Sequence, residues 1–124
     1  MVFGIGTDII EVVRIERELM RGIGFKEKIF SVREIEYCES KRFPAQNYAA
    51  RFAAKEALFK ALGTGWRNGQ TFRDIEILGN ALGNPEISLS GKTEEFYKQN
   101  NLKNIQVSIS HIKEYATAFV TIEQ

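Results

Sequence analysis

The chain has 124 residues, of which 44% are apolar and 27% charged, a composition typical of one folded domain. Its 17 basic and 16 acidic residues give a net charge of +1, which argues against a nucleic-acid-binding protein. No apolar run approaches the roughly 18 residues of a membrane helix, and the first residues do not have the pattern of a signal peptide. The single cysteine, Cys38, excludes an intramolecular disulfide, so we expect a reduced, cytoplasmic protein.

Hydrophobic periodicity predicts one strand and several helices in the first half of the chain. These elements are a strand over Val2–Ile10, a helix over Glu11–Met20, a helical turn over Lys26–Phe30, a helix over Val32–Ser40 and a long helix over Tyr48–Leu62. Ser31 and Glu34 have the spacing of a capping box. Asn47 is the expected cap of the long helix, and Gly63 its expected end. The glycines at 22 and 24 should end the first helix.

The second half is predicted to be mostly strand. After a loop over Thr64–Thr71 it should form strands over Asp74–Leu78 and Glu86–Ser90, a helix over Lys92–Asn100 capped by Ser90, and a hairpin of Ile105–Ser110 with Ala116–Glu123. Strands and helices mix without βαβ regularity. The sequence therefore predicts a single α+β domain over residues 1–124 with a mainly antiparallel sheet.

Basic residues are concentrated between Lys41 and Arg73, where seven basic side chains accompany one acid, Glu56. The net charge of this stretch is 7 − 1 = +6, so the rest of the chain carries −5. A solvated basic face and a site for a polyanion such as a phosphorylated cofactor both fit this pattern. A metal ion bridging the lone carboxylate to phosphate would explain why an acid belongs there.

Asp8 is a candidate metal ligand because it lies among apolar residues near the end of a predicted strand, where aspartate is unfavourable. The alternative is that Asp8 caps the helix that follows. With one histidine and one cysteine in the chain, any metal should bind carboxylate oxygens, which favours ions such as Mg²⁺.

Glu56 and Lys60 lie four residues apart on the long helix and therefore on one face. An exposed ion pair of about 0.3–0.5 kcal/mol would explain them. A metal ligand at Glu56 with a phosphate contact at Lys60 is the functional alternative. The glycines of Gly63-Thr64-Gly65 would let backbone N–H groups approach an anion, although the segment is not a Walker sequence.

Ser108 and Ser110 point to one side of a predicted strand that ends at His111, and together the three residues form a polar patch. A histidine of this kind is often structural. No serine-hydrolase sequence context surrounds these residues.

Taken together, these segments resemble the holo-[acyl-carrier-protein] synthase family, the small bacterial phosphopantetheinyl transferases. The resemblance runs nearly end to end. Its motifs are Gly6-x-Asp8 with Arg14 downstream, Phe52-x-x-Lys55-Glu56-Ala57-x-x-Lys60, Gly63-Thr64-Gly65, Gly83-x-Pro85, and Ser108-x-Ser110-His111 before Tyr115-Ala116. It implies the phosphopantetheinyl transferase-like fold, in which the sheet packs against the long central helix.

The resemblance also implies a reaction. Such enzymes move the 4′-phosphopantetheine arm of coenzyme A onto a serine of apo-acyl carrier protein, use Mg²⁺, and form homotrimers with active sites between subunits. On this basis Asp8 and Glu56 would hold Mg²⁺, Lys60 would lie near the leaving phosphate, and Glu56 is a candidate to remove the serine proton through a bound water. The implied coenzyme A contacts are Arg51, Lys60, Gly63, Thr64, Gly65, Pro85, Ser110 and His111. Lys55 would be a structural or rim charge.

A carrier-binding surface is predicted on the first helix. Arg14, Arg17 and Arg21 share one helical face if the helix reaches Arg21, and Phe25 follows as an apolar anchor. Acyl carrier proteins are acidic, so a basic face would attract them. Acids on the same helix leave an ordinary solvated face as the alternative. Some relatives place arginine where this chain has Gly24, so one carrier contact should be weaker or displaced.

Two other functions fit parts of the pattern. A noncatalytic module that binds coenzyme A or a nucleotide would need the basic stretch but not the carboxylates Asp8 and Glu56. A Mg²⁺-dependent phosphohydrolase would need the metal but no protein acceptor.

Overall fold

The computed structural model describes residues 1–22, 24–65 and 69–124, and confirms the α+β class with antiparallel strand pairing. Its elements are β1 (Val2–Glu11), α1 (Val12–Met20), α2 (Phe25–Ile29), α3 (Val32–Glu39), α4 (Pro44–Leu62), a 3-10 turn (Phe72–Asp74), β2 (Ile75–Gly79), β3 (Pro85–Leu89), α5 (Gly91–Gln99), β4 (Lys103–His111) and β5 (Tyr115–Glu123). Parts of the predicted loop at 64–71 and of the predicted helix stop at 22–24 lie outside the described residues.

The larger sheet has the strand order β1-β5-β4, so β1 and β4 are its two edge strands. Its register places Asp8 beside Ala118, and Thr7 beside Phe119. One face of the sheet is buried against α4, and its central strand contributes Ala116, Ala118, Val120 and Ile122 to the core. The smaller sheet pairs β2 with β3. Among the described residues, none of the helices is long and apolar enough to cross a membrane.

The long helix α4 begins three residues before the predicted cap, so the prediction that Asn47 caps it is wrong. Pro44 occupies the first turn, where its fixed φ suits a helix and its missing N–H costs nothing. The Asn47 amide instead donates to the carbonyl of Phe43. Gly63 ends the helix in the left-handed region with a φ of 78°, as predicted.

The capping box at the start of α3 is confirmed: Ser31 Oγ accepts from the Glu34 N–H, and the Glu34 carboxylate accepts from the Ser31 N–H. Ser90 precedes α5 as predicted, but its side chain does not cap that helix. The Ser90 hydroxyl donates to the carbonyl of Asp74, and the Asp74 carboxylate accepts the N–H of Thr93 instead. The cap of α5 is therefore Asp74, from the distant 3-10 turn, and not the adjacent Ser90 that the sequence predicted.

Strand β1 packs unusually close to α4 because two of its residues lack a side chain. A Cβ built on Gly4 would overlap the carbonyl oxygen of Ala61, and one built on Gly6 would overlap that of Ala57. Both of these helix positions are themselves alanines. The backbone of the strand therefore lies directly against the helix that carries Glu56 and Lys60.

We expect Gly6→Ala to destabilise the protein by about 1–3 kcal/mol or more, because the overlap involves helix backbone that cannot rotate away. Urea unfolding followed by circular dichroism measures the change. Gly79→Ala is the matched control, since a Cβ on this strand glycine meets no atom closer than 3.6 Å. The control should change stability by no more than about 0.5 kcal/mol. Equal effects of the two substitutions would contradict the role of close packing.

Candidate active site

Asp8 and Lys60 meet at the edge of the larger sheet that is formed by β1. The Lys60 ammonium donates to the carbonyl of Thr7 at 2.9 Å and to Asp8 Oδ1 at 3.1 Å. The Asp8 side chain is 18% exposed and that of Lys60 is 54% exposed. The N-cap position of α1 belongs to Glu11, so Asp8 does not cap that helix. The motif thus brings together a strand carboxylate and a helix ammonium that are 52 residues apart.

Glu56 lies one helical turn before Lys60 and is half-buried. Burial raises the pKa of the Glu56 carboxyl, the negative charge of Asp8 raises it further, and Lys60 opposes both effects. Asp8 and Glu56 are therefore close enough to repel each other. A cation between them would relieve that repulsion, so these two residues fit the oxygen ligands that Mg²⁺ takes from proteins.

In the described part of the chain, no group of three or more histidine, cysteine, aspartate or glutamate side chains forms a metal cage. Mg²⁺ commonly takes one or two carboxylates from the protein and completes its shell with substrate phosphates and water. The two carboxylates of Asp8 and Glu56 match a site of this kind, in which phosphate and water supply the remaining ligands.

The predicted coenzyme A contacts on the last strands lie at the opposite edge of the sheet, formed by β4. Ser110 and His111 end this strand, and His111 Nδ1 is 3.0 Å from Gln46 Oε1. Pro85 lines a cleft of about 720 Å³ between β3 and β4, together with Asn84 and Ser108. The described structure therefore separates these contacts from Asp8 by the width of the three-stranded sheet.

Arg51 is placed mostly in the interior, at 7% exposure. Its Nε donates to the carbonyl of Ile77, and its guanidinium lies 4.0 Å from the ring centroid of Tyr37. These contacts fix the guanidinium between α4, β2 and α3. Any contact of Arg51 with a ligand would involve only the small exposed fraction of the side chain.

The glycine segment after α4 has left-handed backbone at Gly63 and Gly65, with φ of 78° and 60°. The Gly63 N–H bonds the carbonyls of Phe59 and Lys60, so it closes the helix and does not face an anion. The Thr64 hydroxyl donates to Gln70 Oε1 at 3.1 Å. Of the three residues predicted to approach an anion, Gly63 thus uses its backbone N–H to close the end of α4.

The predicted carrier-binding residues lie on α1 and at the start of α2. Arg14 and Arg17 are exposed on α1, whereas Arg21 follows its last residue and pairs with Glu18 at 2.9 Å. Phe25 is half-buried, with ring centroids 6.3 Å from Phe30 and 6.2 Å from Phe52. Phe25 therefore offers only part of its ring to a partner.

Sequence reasoning missed a buried ion pair next to the site. Lys55 and Glu34 are both fully buried, and Lys55 Nζ donates to Glu34 Oε1 at 2.7 Å. Burial lowers the pKa of Lys55, and the Glu34 carboxylate opposes that shift. The capping-box spacing identified Glu34 as a helix cap, but nothing in the sequence indicated its partner. All three N–H groups of Lys55 bond to acceptors inside the protein, which favours the structural alternative for this residue.

Comparison with known proteins identifies close relatives along the whole chain. Residues 4–120 match the model of the 4′-phosphopantetheinyl transferase superfamily. A holo-[acyl-carrier-protein] synthase of Ruminiclostridium cellulolyticum is 52% identical over 120 residues, covering 95% of this chain and 90% of that protein. The structure of the Neisseria meningitidis holo-[acyl-carrier-protein] synthase has a TM-score of 0.92 at 35% identity and covers 100% of both chains. That of Helicobacter pylori, in complex with coenzyme A, has a TM-score of 0.84 at 35% identity and covers 96% of this chain and 99% of its own.

The raised pKa of Glu56 predicts a pH-dependent cost to stability. The folded protein holds the Glu56 proton more tightly than the unfolded chain, so ionisation at neutral pH costs stability that is recovered below the ordinary value of 4.5. In metal-free buffer, Glu56→Gln should therefore melt at a higher temperature than the unsubstituted protein at pH 7. The difference should shrink as the pH falls toward 4.5.

Calorimetry between pH 4 and pH 8 measures this difference. Glu36→Gln, which removes an exposed carboxylate of α3, is the control and should show no comparable trend. If the difference in melting temperature between Glu56→Gln and the unsubstituted protein were constant across this range, the raised pKa of Glu56 would be contradicted.

Proposed function

Because this chain belongs to the 4′-phosphopantetheinyl transferase superfamily, we propose that it transfers the 4′-phosphopantetheine arm of coenzyme A to a serine of an apo-acyl carrier protein. The other product is adenosine 3′,5′-bisphosphate. The observation that carries the proposal is the convergence of Asp8, Glu56 and Lys60 at one sheet edge. The relatives named holo-[acyl-carrier-protein] synthase, and the neighbour solved with coenzyme A, support the choice of both substrates.

Asp8 and Glu56 are the residues that would hold Mg²⁺. When bound there, the ion would supply charge neutralisation for the diphosphate of coenzyme A. Lys60 contacts Asp8 with an ammonium on a largely exposed side chain, so the same group can also reach a phosphate oxygen. Phosphoryl transfer depends mainly on such positioning and electrostatics.

The reaction is an in-line displacement at the phosphorus that carries the pantetheine arm. The serine oxygen forms the new P–O bond, and the bond to the phosphate of adenosine 3′,5′-bisphosphate breaks. Glu56 is the candidate that accepts the serine proton through a water. Lys60 neutralises the charge that develops on the leaving phosphate.

We place the active site between subunits of a homotrimer. The proposed coenzyme A contacts at the β4 edge and the carboxylates at the β1 edge come together if a neighbouring chain supplies one of the two groups. The sheet face turned away from α4 exposes Ile5, Ile9 and Phe119 to 47% or more, and a neighbouring subunit would cover this apolar surface. The number three comes from the family resemblance.

The carrier would dock on α1 and α2. Arg14 and Arg17 are exposed and would attract an acidic protein over long range. The exposed part of Phe25 would add an apolar contact close to Phe52, on the helix of Glu56. We also place the protein in the cytoplasm, on the basis of its single cysteine, the free and buried Cys38.

The transfer reaction is tested by mass spectrometry of an apo-carrier incubated with coenzyme A, Mg²⁺ and the protein. We expect a mass gain that matches phosphopantetheine, and a rate at least about 100-fold lower for Asp8→Asn and for Glu56→Gln, since each removes a charge at the transferring group. Glu95→Gln, an exposed acid on α5, is the control and should keep the full rate.

The same assay separates the alternatives. Coenzyme A binding without any mass gain would support a noncatalytic module instead, and hydrolysis of coenzyme A without a carrier would support a phosphohydrolase. Either result would overturn the transferase proposal.

Assembly is tested by a charge on the exposed sheet face. Phe119→Lys places an ammonium at the middle of this face, between Thr7 and Ser108 in the strand register. We expect sedimentation to show dissociated subunits with native circular dichroism and little transfer activity, because desolvating that charge in an interface is costly. Val32→Lys, at an apolar position on α3 that is 64% exposed, is the control and should leave assembly intact. An active, monomeric Phe119→Lys variant would exclude sites shared between subunits.

A further inference from the structure

Lys55 joins three separate segments to α4 through one ammonium group. Its Nζ donates to Glu34 Oε1 and to the carbonyl of Ile29, each at 2.7 Å, and to the carbonyl of Phe72 at 3.2 Å. An ammonium has three N–H donors, so each has an acceptor. The acceptors belong to α3, to the last residue of α2 and to the first residue of the 3-10 turn.

Glu34 is held as completely as Lys55. Its Oε1 also accepts the Ser31 N–H, and its Oε2 accepts the N–H of Ile77 at 2.9 Å. The carboxylate thus links the start of α3 to strand β2 while it binds Lys55. Within the described residues, every buried side-chain nitrogen and oxygen has a hydrogen-bond partner.

Stability alone does not account for this pair. Removing two charges from water is costly, and buried ion pairs can often be replaced by apolar residues of similar size with no loss of stability. What such a pair does supply is a defined geometry, because the acceptors must lie where the three N–H groups point.

The shortest α-helix of the described structure is α2, which the burial of Ile29 and Phe30 also anchors. It has five residues, too few to be stable as an isolated helix, so its position depends on tertiary contacts. Lys26 pairs with Glu39, but on exposed side chains that contribute little. Phe25 packs on Phe52 at one end of α2, and Lys55 binds the Ile29 carbonyl at the other.

We infer that Lys55, held in place by Glu34, is a positioning residue that fixes α2 relative to the neighbouring Glu56. The inference rests on the proposed function, in which Phe25 at the start of α2 contacts the carrier and Glu56 acts on its serine. Lys55 then sets the spacing between the docking surface and the reacting group. Releasing α2 should weaken productive carrier binding and leave the binding of coenzyme A unchanged.

The test is the double variant Lys55→Met/Glu34→Gln. Methionine has a similar length without donors, and glutamine keeps one oxygen for the N–H groups at Ser31 or Ile77. We expect the KM for apo-carrier to rise about tenfold while kcat at saturating carrier changes less than about twofold. Isothermal titration should give unchanged affinity for coenzyme A. Hydrogen exchange at the amides of Lys28 and Phe30, which bond the carbonyls of Gly24 and Lys26 and so close the turns of α2, should be about tenfold faster.

A control variant that is also destabilised shows whether the rise in carrier KM comes from the lost position of α2 or from a general loss of stability. Ile122→Ala removes a fully buried side chain of β5 and should lower the melting temperature without changing the carrier KM or exchange in α2. Arg14→Glu is the positive control for a raised carrier KM. Equal KM effects of the double variant and Ile122→Ala, or unchanged exchange at Lys28 and Phe30, would overturn the inference.

If the double variant does not fold, a second variant tests whether Lys55 holds α2 in place. Glu34→Asp keeps both charges and shortens the acid by one methylene, which draws Lys55 away from the Ile29 carbonyl. Faster exchange in α2 supports the inference, and unchanged exchange overturns it. If the unsubstituted protein adds no mass to the carrier, the proposed function fails, while the exchange measurements still report whether Lys55 holds α2.

Discussion

The close approach of β1 to α4 is the constraint on which the site depends. Gly4 and Gly6 leave no side chain between the strand and the carbonyls of Ala61 and Ala57. The Lys60 ammonium consequently reaches around the edge of β1 to bond the Thr7 carbonyl as well as Asp8. A larger residue at position 6 would push the strand outward and lengthen both bonds. Glycines that look unfavourable for a strand therefore set the distance between two charged groups of the site.

Helix geometry explains why neighbouring charges on α4 have different roles. Consecutive residues differ by about 100° around the axis, so Lys55 points into the protein when Glu56 points toward the edge of β1. Lys60 is one turn further and shares the face of Glu56. One lysine is thus fully buried against Glu34, and the other is 54% exposed beside Asp8. The same residue type fixes the scaffold in one case and, in the proposed reaction, contacts the substrate in the other.

Local patterns predicted most elements, because strand alternation, helix periodicity and the box formed by Ser31 and Glu34 are properties of adjacent residues. The cap of α5 was predicted wrongly because a distant residue supplies it: Asp74, in the 3-10 turn, accepts the N–H of Thr93. The cap of α4 was predicted wrongly because Pro44 begins the helix three residues before Asn47. The motif resemblance predicted that Asp8 and Glu56 act together, and the structure places them close enough to interact; their role as metal ligands is part of the proposed function. The partner of Lys55 was not predictable, because 21 residues separate it from Glu34 and no local pattern connects them.

The proposed site residues lie in two groups, and their positions limit how subunits can assemble if both groups belong to one active site. Asp8 and Glu56 lie at the β1 edge, while the proposed coenzyme A contacts Ser110 and His111 end β4 at the opposite edge. A two-fold dimer uses one surface patch on both subunits, so it would need both groups in the same patch. Pairing one edge with the opposite edge of a neighbour is head-to-tail, and a head-to-tail contact closes only as a ring of three or more subunits. A trimer is the smallest ring of this head-to-tail kind, and the proposed number of three itself comes from the family resemblance.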